Sequence, residues 1–168
     1  MILTKESILK EINNKQIKVE PFVLENVGPG SLDLTLSNEF RTFKKIHNIV
    51  EISEHSDFTN LTNLEKTDDH FVIMPGESVF GITVERITLP PDICGWLEGR
   101  STFARFGLMV HITASYIQPG IDNHQVLEMF NASQIPLAIK SGLKICQFIF
   151  ERCEGSAVYQ GRYKNQQL

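Results

Sequence analysis

Gly99-Arg100-Ser101-Thr102-Phe103-Ala104-Arg105-Phe106-Gly107-Leu108-Met109-Val110-His111-Ile112-Thr113-Ala114 is followed, past a turn, by Val126-Leu127-Glu128-Met129-Phe130-Asn131. The first stretch opens on a pair of guanidinium groups and a pair of hydroxyls, from Arg100, Ser101, Thr102 and Arg105. A short basic turn rich in hydroxyls is an anion cradle, because arginine offers forked donors that match phosphate oxygens and hydroxyls fill the gaps between them. The stretch then reads as an apolar strand running toward the lone carboxylate of Glu128. In the second stretch the strand period of two puts Val126, Glu128 and Phe130 on one face. A carboxylate flanked by valine and phenylalanine is either held by a cation or driven toward its neutral form by desolvation, and either condition suits an acid/base catalyst. A structural ion pair in a half-buried strand is the competing reading.

Composition narrows the classes around this core. At 168 residues the chain is read as one domain, residues 1–168, long enough to bury about two thirds of its unfolded surface. A formal net charge of −4 argues against a nucleic-acid or membrane-surface partner, either of which calls for a basic face. No apolar run approaches the roughly 18 residues of a membrane span. Met1-Ile2-Leu3-Thr4-Lys5-Glu6 carries charge where a secretory signal needs its apolar centre. The expectation is a cytoplasmic protein. Cys94, Cys146 and Cys153 form no Cys-x-x-Cys pair and read as reduced, core-filling thiols. None of His47, His55, His70, His111 or His124 has glutamate two residues on, so the ligand pattern of zinc deaminases is missing and no zinc is expected.

Along the chain, Thr4 is placed to cap a helix over about residues 5–13, with Leu3 and Ile8 as a hydrophobic staple and Asn13-Asn14 as the stop. Gly28-Pro29-Gly30 makes a turn, after which Leu32, Leu34 and Leu36 alternate as a half-buried strand. Residues 51–70 are polar and read as an irregular loop or insertion. Phe71 to Leu89 reads as strand, turn at Pro75-Gly76, and strand, and Pro90-Pro91 forces a further turn. The rest is short strands punctuated by Gly107, Pro119-Gly120, Pro136 and Ser141-Gly142. Many short strands at such spacing predict an all-β barrel or jelly roll.

The run Gly99 to Leu108 resembles the G-R-S-S-x-A-R-x-G-L signature of the dCTP deaminases, within the trimeric dCTP deaminase/dUTPase superfamily. Val110-His111-Ile112-Thr113-Ala114, Ile117-Gln118-Pro119-Gly120 and Val126-Leu127-Glu128 with Asn131 follow in that family's order. Ser31-Leu32-Asp33-Leu34 with Asn38-Glu39-Phe40 near the start, and Tyr159-Gln160-Gly161-Arg162-Tyr163-Lys164-Asn165-Gln166 at the end, extend the likeness over nearly the whole chain. It implies a dUTPase-like distorted β-barrel assembled as a homotrimer, with active sites at subunit interfaces and residues 159–168 as a C-terminal lid. The implied reaction is zinc-independent hydrolysis of dCTP to dUTP and ammonia, with Mg²⁺ carried by the nucleotide. Alternatives are a bifunctional relative that goes on to dUMP and diphosphate, and a silent nucleotide-binding regulator.

The resemblance also assigns roles. Glu128 is the acid/base catalyst, Ser101 and backbone around Ile112 to Ala114 position the water, and Arg105 orients Glu128 or neutralises charge beside it. Arg100 and Thr102 are phosphate binders, although one of the two arginines in a structural ion pair is an equally ordinary use. Backbone at Ile112 and Thr113 reads the base edge, Ala114 lies beside them, and Gln118 reaches the deoxyribose. Tyr159, Arg162, Tyr163 and Gln166 are lid positions. His111, set in an apolar run, reads as a core or supporting histidine. dTTP enters as a feedback inhibitor. Departures from the pattern are Gln118 for the usual aspartate, Ile121-Asp122-Asn123 for the usual Trp-x-Gly, and an end at Leu168 short of where similar proteins stop. The first counts against phosphate-chain cleavage, since an amide cannot act as a base; the last predicts a shorter lid.

Overall fold

The computed structural model describes residues 1–168. The elements run α1 (Lys5–Asn13), β1 (Lys18–Glu20), β2 (Leu32–Phe43), β3 (Thr62–Lys66), β4 (His70–Ile73), β5 (Ser78–Thr88), β6 (Ile93–Gly99), α2 (Ser101–Ala104), β7 (Leu108–Met109), β8 (Tyr116–Ile117), β9 (Asp122–Asn131), β10 (Leu137–Lys140) and β11 (Lys144–Arg152), with single-turn 3₁₀ helices at Leu24–Asn26 and Phe58–Leu61.

Alternation builds the sheet. Leu32, Leu34, Leu36 and Phe40 of β2, Leu127 and Met129 of β9, and Phe148 and Phe150 of β11 are fully buried, while their neighbours in sequence are more exposed. Each such large apolar side chain contributes roughly 1.5–3 kcal/mol when fully buried. The main sheet runs β7-β9-β5-β2-β11-β6-β8, with β1 added beside β5 and β3 beside β2. Register shifts at Leu36/Phe40, Ile82/Arg86 and Lys144/Cys146 bend the long strands. The result is the expected distorted all-β barrel, left open between β7 and β8. A two-stranded sheet, β4 with β10, closes one end, and Phe71 of β4 stacks on Phe40 of β2 with ring centroids 4.2 Å apart.

The N-terminal helix forms where the capping pattern places it, and both staple residues are buried. Thr4 has the extended cap conformation, but its side chain caps nothing; the helix starts on its carbonyl, which accepts from the Ile8 N–H at 2.8 Å. Residues 51–70 are not irregular throughout: β3 pairs with the outer half of β2. Four of the five β3 residues are exposed, so this edge strand is held by backbone pairing and offers no apolar alternation to read. The strand expected from Leu108 onward stops after Met109. Residues 110–115 leave the sheet, and the Leu97 N–H bonds the Ser115 carbonyl at 3.0 Å. At the Pro119-Gly120 turn, Gly120 takes φ +77°, and a β-carbon there would meet Val158 Cα at 3.0 Å. Glycine thus lets the C-terminal segment start flat against the barrel, where the Tyr159 N–H bonds the Pro119 carbonyl at 3.0 Å.

Candidate active site

Glu128 leaves the outer face of β9 between Val126 and Phe130, opposite Phe80 in the β5–β9 ladder. The Thr113 hydroxyl donates to Glu128 Oε2 at 2.8 Å, and Oε1 takes no hydrogen bond within the chain. The Glu128 backbone N–H donates to His111 Nδ1 at 3.3 Å. That bond makes Nδ1 the acceptor, so the neutral ring carries its proton on Nε2, a buried atom with no partner. His111 is therefore a support for the Glu128 strand, as its apolar surroundings suggested. The carboxylate is held by a hydroxyl and not by a cation, for all seven ion pairs of the chain leave it out.

Glu128 opens into a cleft of about 410 Å³. Phe58, Phe80, Ile121 and Val126 supply apolar wall; His111, Tyr116, Gln118, Asn123 and Gln125 supply polar groups; Tyr159, Tyr163, Gln166 and Gln167 close it from the C-terminal segment. Glu128 is the only carboxylate in that lining. Burial of the hydroxyl and the neighbouring Cys94 thiol push the Tyr116 phenol up to about 12, so it stays protonated. Outside that lining, at the start of β9, Asp122 receives a bidentate pair from Arg86, 2.9 Å on each oxygen, and a 2.7 Å bond from the Thr88 hydroxyl. Burial works to raise the Asp122 carboxyl, but the Arg86 and Thr88 hydrogen bonds and the Arg86 charge outweigh it and hold the group below the usual range.

The structure brings together Glu128, Thr113, Ala114, Gln118, Tyr159, Tyr163 and Gln166 from the sequence-derived set. The backbone N–H groups of Ile112, Thr113 and Ala114 have no partner in the chain, and all three residues are exposed outside any strand. Arg162 turns from the cleft to donate to the Ser56 carbonyl at 3.0 Å. Arg100 is tied to the barrel: Nη1 bonds the Lys144 carbonyl at 2.7 Å and Nη2 lies 3.3 Å from Asp33 Oδ2. It is the arginine of the pair that makes a structural ion pair. Ser101, Thr102 and Arg105 sit on and just after α2, exposed, outside the cleft lining, and their side chains bond nothing in the chain. Arg105 does not reach Glu128 within one copy.

Sequence reasoning missed Phe58, Phe80, Tyr116, Asn123 and Gln125. The first three come from separate segments that only the fold assembles. Asn123 and Gln125 had a readable signal, since amides at inward positions of a strand that otherwise buries Leu127 and Met129 are a costly choice unless bonded.

A family model described as dCTP deaminase-like matches residues 2–153. The dUMP-forming dCTP deaminase of Pseudarthrobacter chlorophenolicus is 38% identical over 170 residues, spanning 98% of this chain and 88% of that one. The enzyme of the same name from a Nocardioides species is 37% identical over 175 residues, spanning 99% and 91%. Among solved structures, the 2′-deoxycytidine 5′-triphosphate deaminase of Agrobacterium tumefaciens matches at TM-score 0.71 and 19% identity, over 91% of this chain and 48% of that one, a likeness of fold. A barrel of this shape, a family model that matches residues 2–153 and relatives 37–38% identical over nearly the whole chain place the chain in the dCTP deaminase-like family.

Proposed function

We propose that this chain is a dCTP deaminase that hydrolyses the amine from the cytosine ring at Glu128. One observation carries the reading: the cleft's single carboxylate has one oxygen fixed by Thr113 and the other free toward an aromatic wall. Water attacks the ring carbon that bears the amine while Glu128 takes a water proton, then returns it to the departing nitrogen. The balance is dCTP plus water giving the uracil nucleotide and ammonia. The apolar wall of Phe58, Phe80 and Val126 accepts the base. The unpartnered N–H groups of Ile112 to Ala114 are donors for its polar edge and for the developing oxyanion. Mg²⁺ enters as part of the substrate, on the triphosphate, and dTTP is a ligand of the same shape for inhibition. The site of action is the cytoplasm.

A second water then breaks the bond between the α- and β-phosphates, so that the products are ammonia, dUMP and diphosphate, on the strength of relatives that carry the dUMP-forming name at 35–38% identity. Those names support the bifunctional alternative better than the dUTP-forming reading that the resemblance put first. One observation favours stopping at dUTP: Gln118 stands in the cleft as a neutral amide, with no carboxylate near it except Glu128.

The anion cradle is completed between copies. Ser101, Thr102 and Arg105 are exposed and unpartnered, and Phe106, Met109 and Ile112 beside them expose apolar surface at 61%, 46% and 39%. A homotrimer that sets this segment over a neighbour's cleft uses both. Glu128→Gln tests the reading: it removes ammonia release by about 10²–10⁴-fold or more while dCTP still binds. Mixing Glu128→Gln with Ser101→Ala restores part of the activity if two copies share a site. Turnover by Glu128→Gln within a few fold of the unmodified protein refutes the assignment.

A further inference from the structure

We infer that Asn123 is a positioning residue that latches the C-terminal segment over the cleft, with Gln125 fixing the direction of its amide. The inference rests on the cleft being a nucleotide site, and its geometry is independent of the product. Asn123 Nδ2 donates to the carbonyls of Tyr163, at 2.9 Å, and Lys164, at 3.2 Å. These carbonyls belong to a pair of turns in which Lys164 N–H bonds Gly161 O at 3.2 Å and Gln166 N–H bonds Tyr163 O at 3.3 Å. One buried side chain thus grips the segment that carries Tyr163 and Gln166 into the cleft.

An asparagine amide can face either way, and its surroundings decide which. Gln125 Nε2 donates to Asn123 Oδ1 at 2.8 Å and to the Asn123 carbonyl at 3.4 Å. With its oxygen so occupied, Asn123 must present its NH₂ to the tail. The Gln125 backbone N–H bonds the Thr83 hydroxyl of β5 at 2.9 Å, while its side-chain Oε1 is buried without a partner. Both amides are nearly inaccessible, Asn123 at 5% and Gln125 at 1% exposure. Burying two amides in place of apolar groups is unfavourable unless they bond something, and the tail carbonyls are what Asn123 bonds. Gln166 Nε2 to His124 O, at 3.1 Å, makes the same junction from the tail's side.

Trypsin reads the latch directly, since Arg162 and Lys164 lie within the held segment. Cleavage there follows the open population of the tail when opening is fast. Asn123→Gly and the isosteric Asn123→Asp, which turns an oxygen toward the two carbonyls, are expected to be cut at Arg162 and Lys164 about tenfold faster or more, while cleavage at Arg86 of β5 and Arg152 of β11 does not rise with it. In dCTP turnover, KM is expected to rise about as much while kcat holds within about twofold. Equal cleavage of both variants and the unmodified protein overturns the latch. Faster cleavage with an unchanged KM overturns its part in nucleotide binding. The cleavage rates are measured without substrate, so they decide the latch even if dCTP proves not to be turned over, the result that would instead refute the proposed function.

Discussion

Replacing Thr113 by valine deletes one hydroxyl and keeps the shape of the side chain. The hydroxyl lost is the donor to Glu128 Oε2 at 2.8 Å, the only side-chain bond that fixes the carboxylate. Hydrogen bonds to a charged group are worth about 1.5–3 kcal/mol. Both partners are open to solvent on one side, so the lower figure applies, and about 1.5 kcal/mol corresponds to about tenfold in rate. Thr113→Val should therefore lower kcat/KM for dCTP about tenfold, read as ammonia release, while Thr113→Ser, which keeps the donor, stays within about twofold. The two losses share one interaction, so Thr113→Val should cost next to nothing further in a Glu128→Gln background. Full activity in Thr113→Val, or equal impairment in Thr113→Ser, refutes the claim that this bond orients the carboxylate.

Asp122→Asn removes a carboxyl held below the usual range by Arg86 and Thr88, against the opposing effect of burial. Such a group stabilises the fold above its unfolded value near 3.9 and stops doing so as pH falls through its folded value; the variant should therefore lose about 0.5–1 kcal/mol in urea unfolding at pH 7, a deficit that shrinks as pH falls below about 4. An undiminished deficit at pH 3 contradicts this. Cys146 is fully buried, and burial pushes its thiol far up, so iodoacetamide at pH 8 should leave it unlabelled until the protein is unfolded; labelling in the native state contradicts that. Prolonged chelation followed by excess Mg²⁺ should leave deamination intact, because the sequence has no His-x-Glu or Cys-x-x-Cys pattern. Stoichiometric zinc lost together with activity would overturn it.

Periodicity made most of the barrel legible. Leu32, Leu34 and Leu36 alternate in sequence and all face the core, and the turns at Pro75-Gly76 and Pro119-Gly120 fall between strands. β3 stayed hidden because an exposed edge strand carries no apolar face. The stretch from Val110 to Ala114 looked like a strand because it is apolar, but the strand ends at Met109 and Ile112 beyond it is exposed. For the cleft, Glu128 was readable from its flanks, and Tyr159 to Gln166 from their chemistry. The aromatic wall was not, because Phe58 and Phe80 come from distant segments that meet only in the fold, 5.2 Å apart between ring centroids. Nor did local pattern show which arginine was free: Arg100 is spent on Asp33 and Lys144, far along the chain.

The most direct test is the stoichiometry of products over time when the protein is incubated with dCTP and Mg²⁺, resolving ammonia, dUTP, dUMP and diphosphate. Ammonia, dUMP and diphosphate are expected to rise together in equal amounts with little free dUTP. Accumulation of dUTP would show that the reaction halts after deamination, and dCTP left unchanged, with no ammonia released, would refute deamination at Glu128.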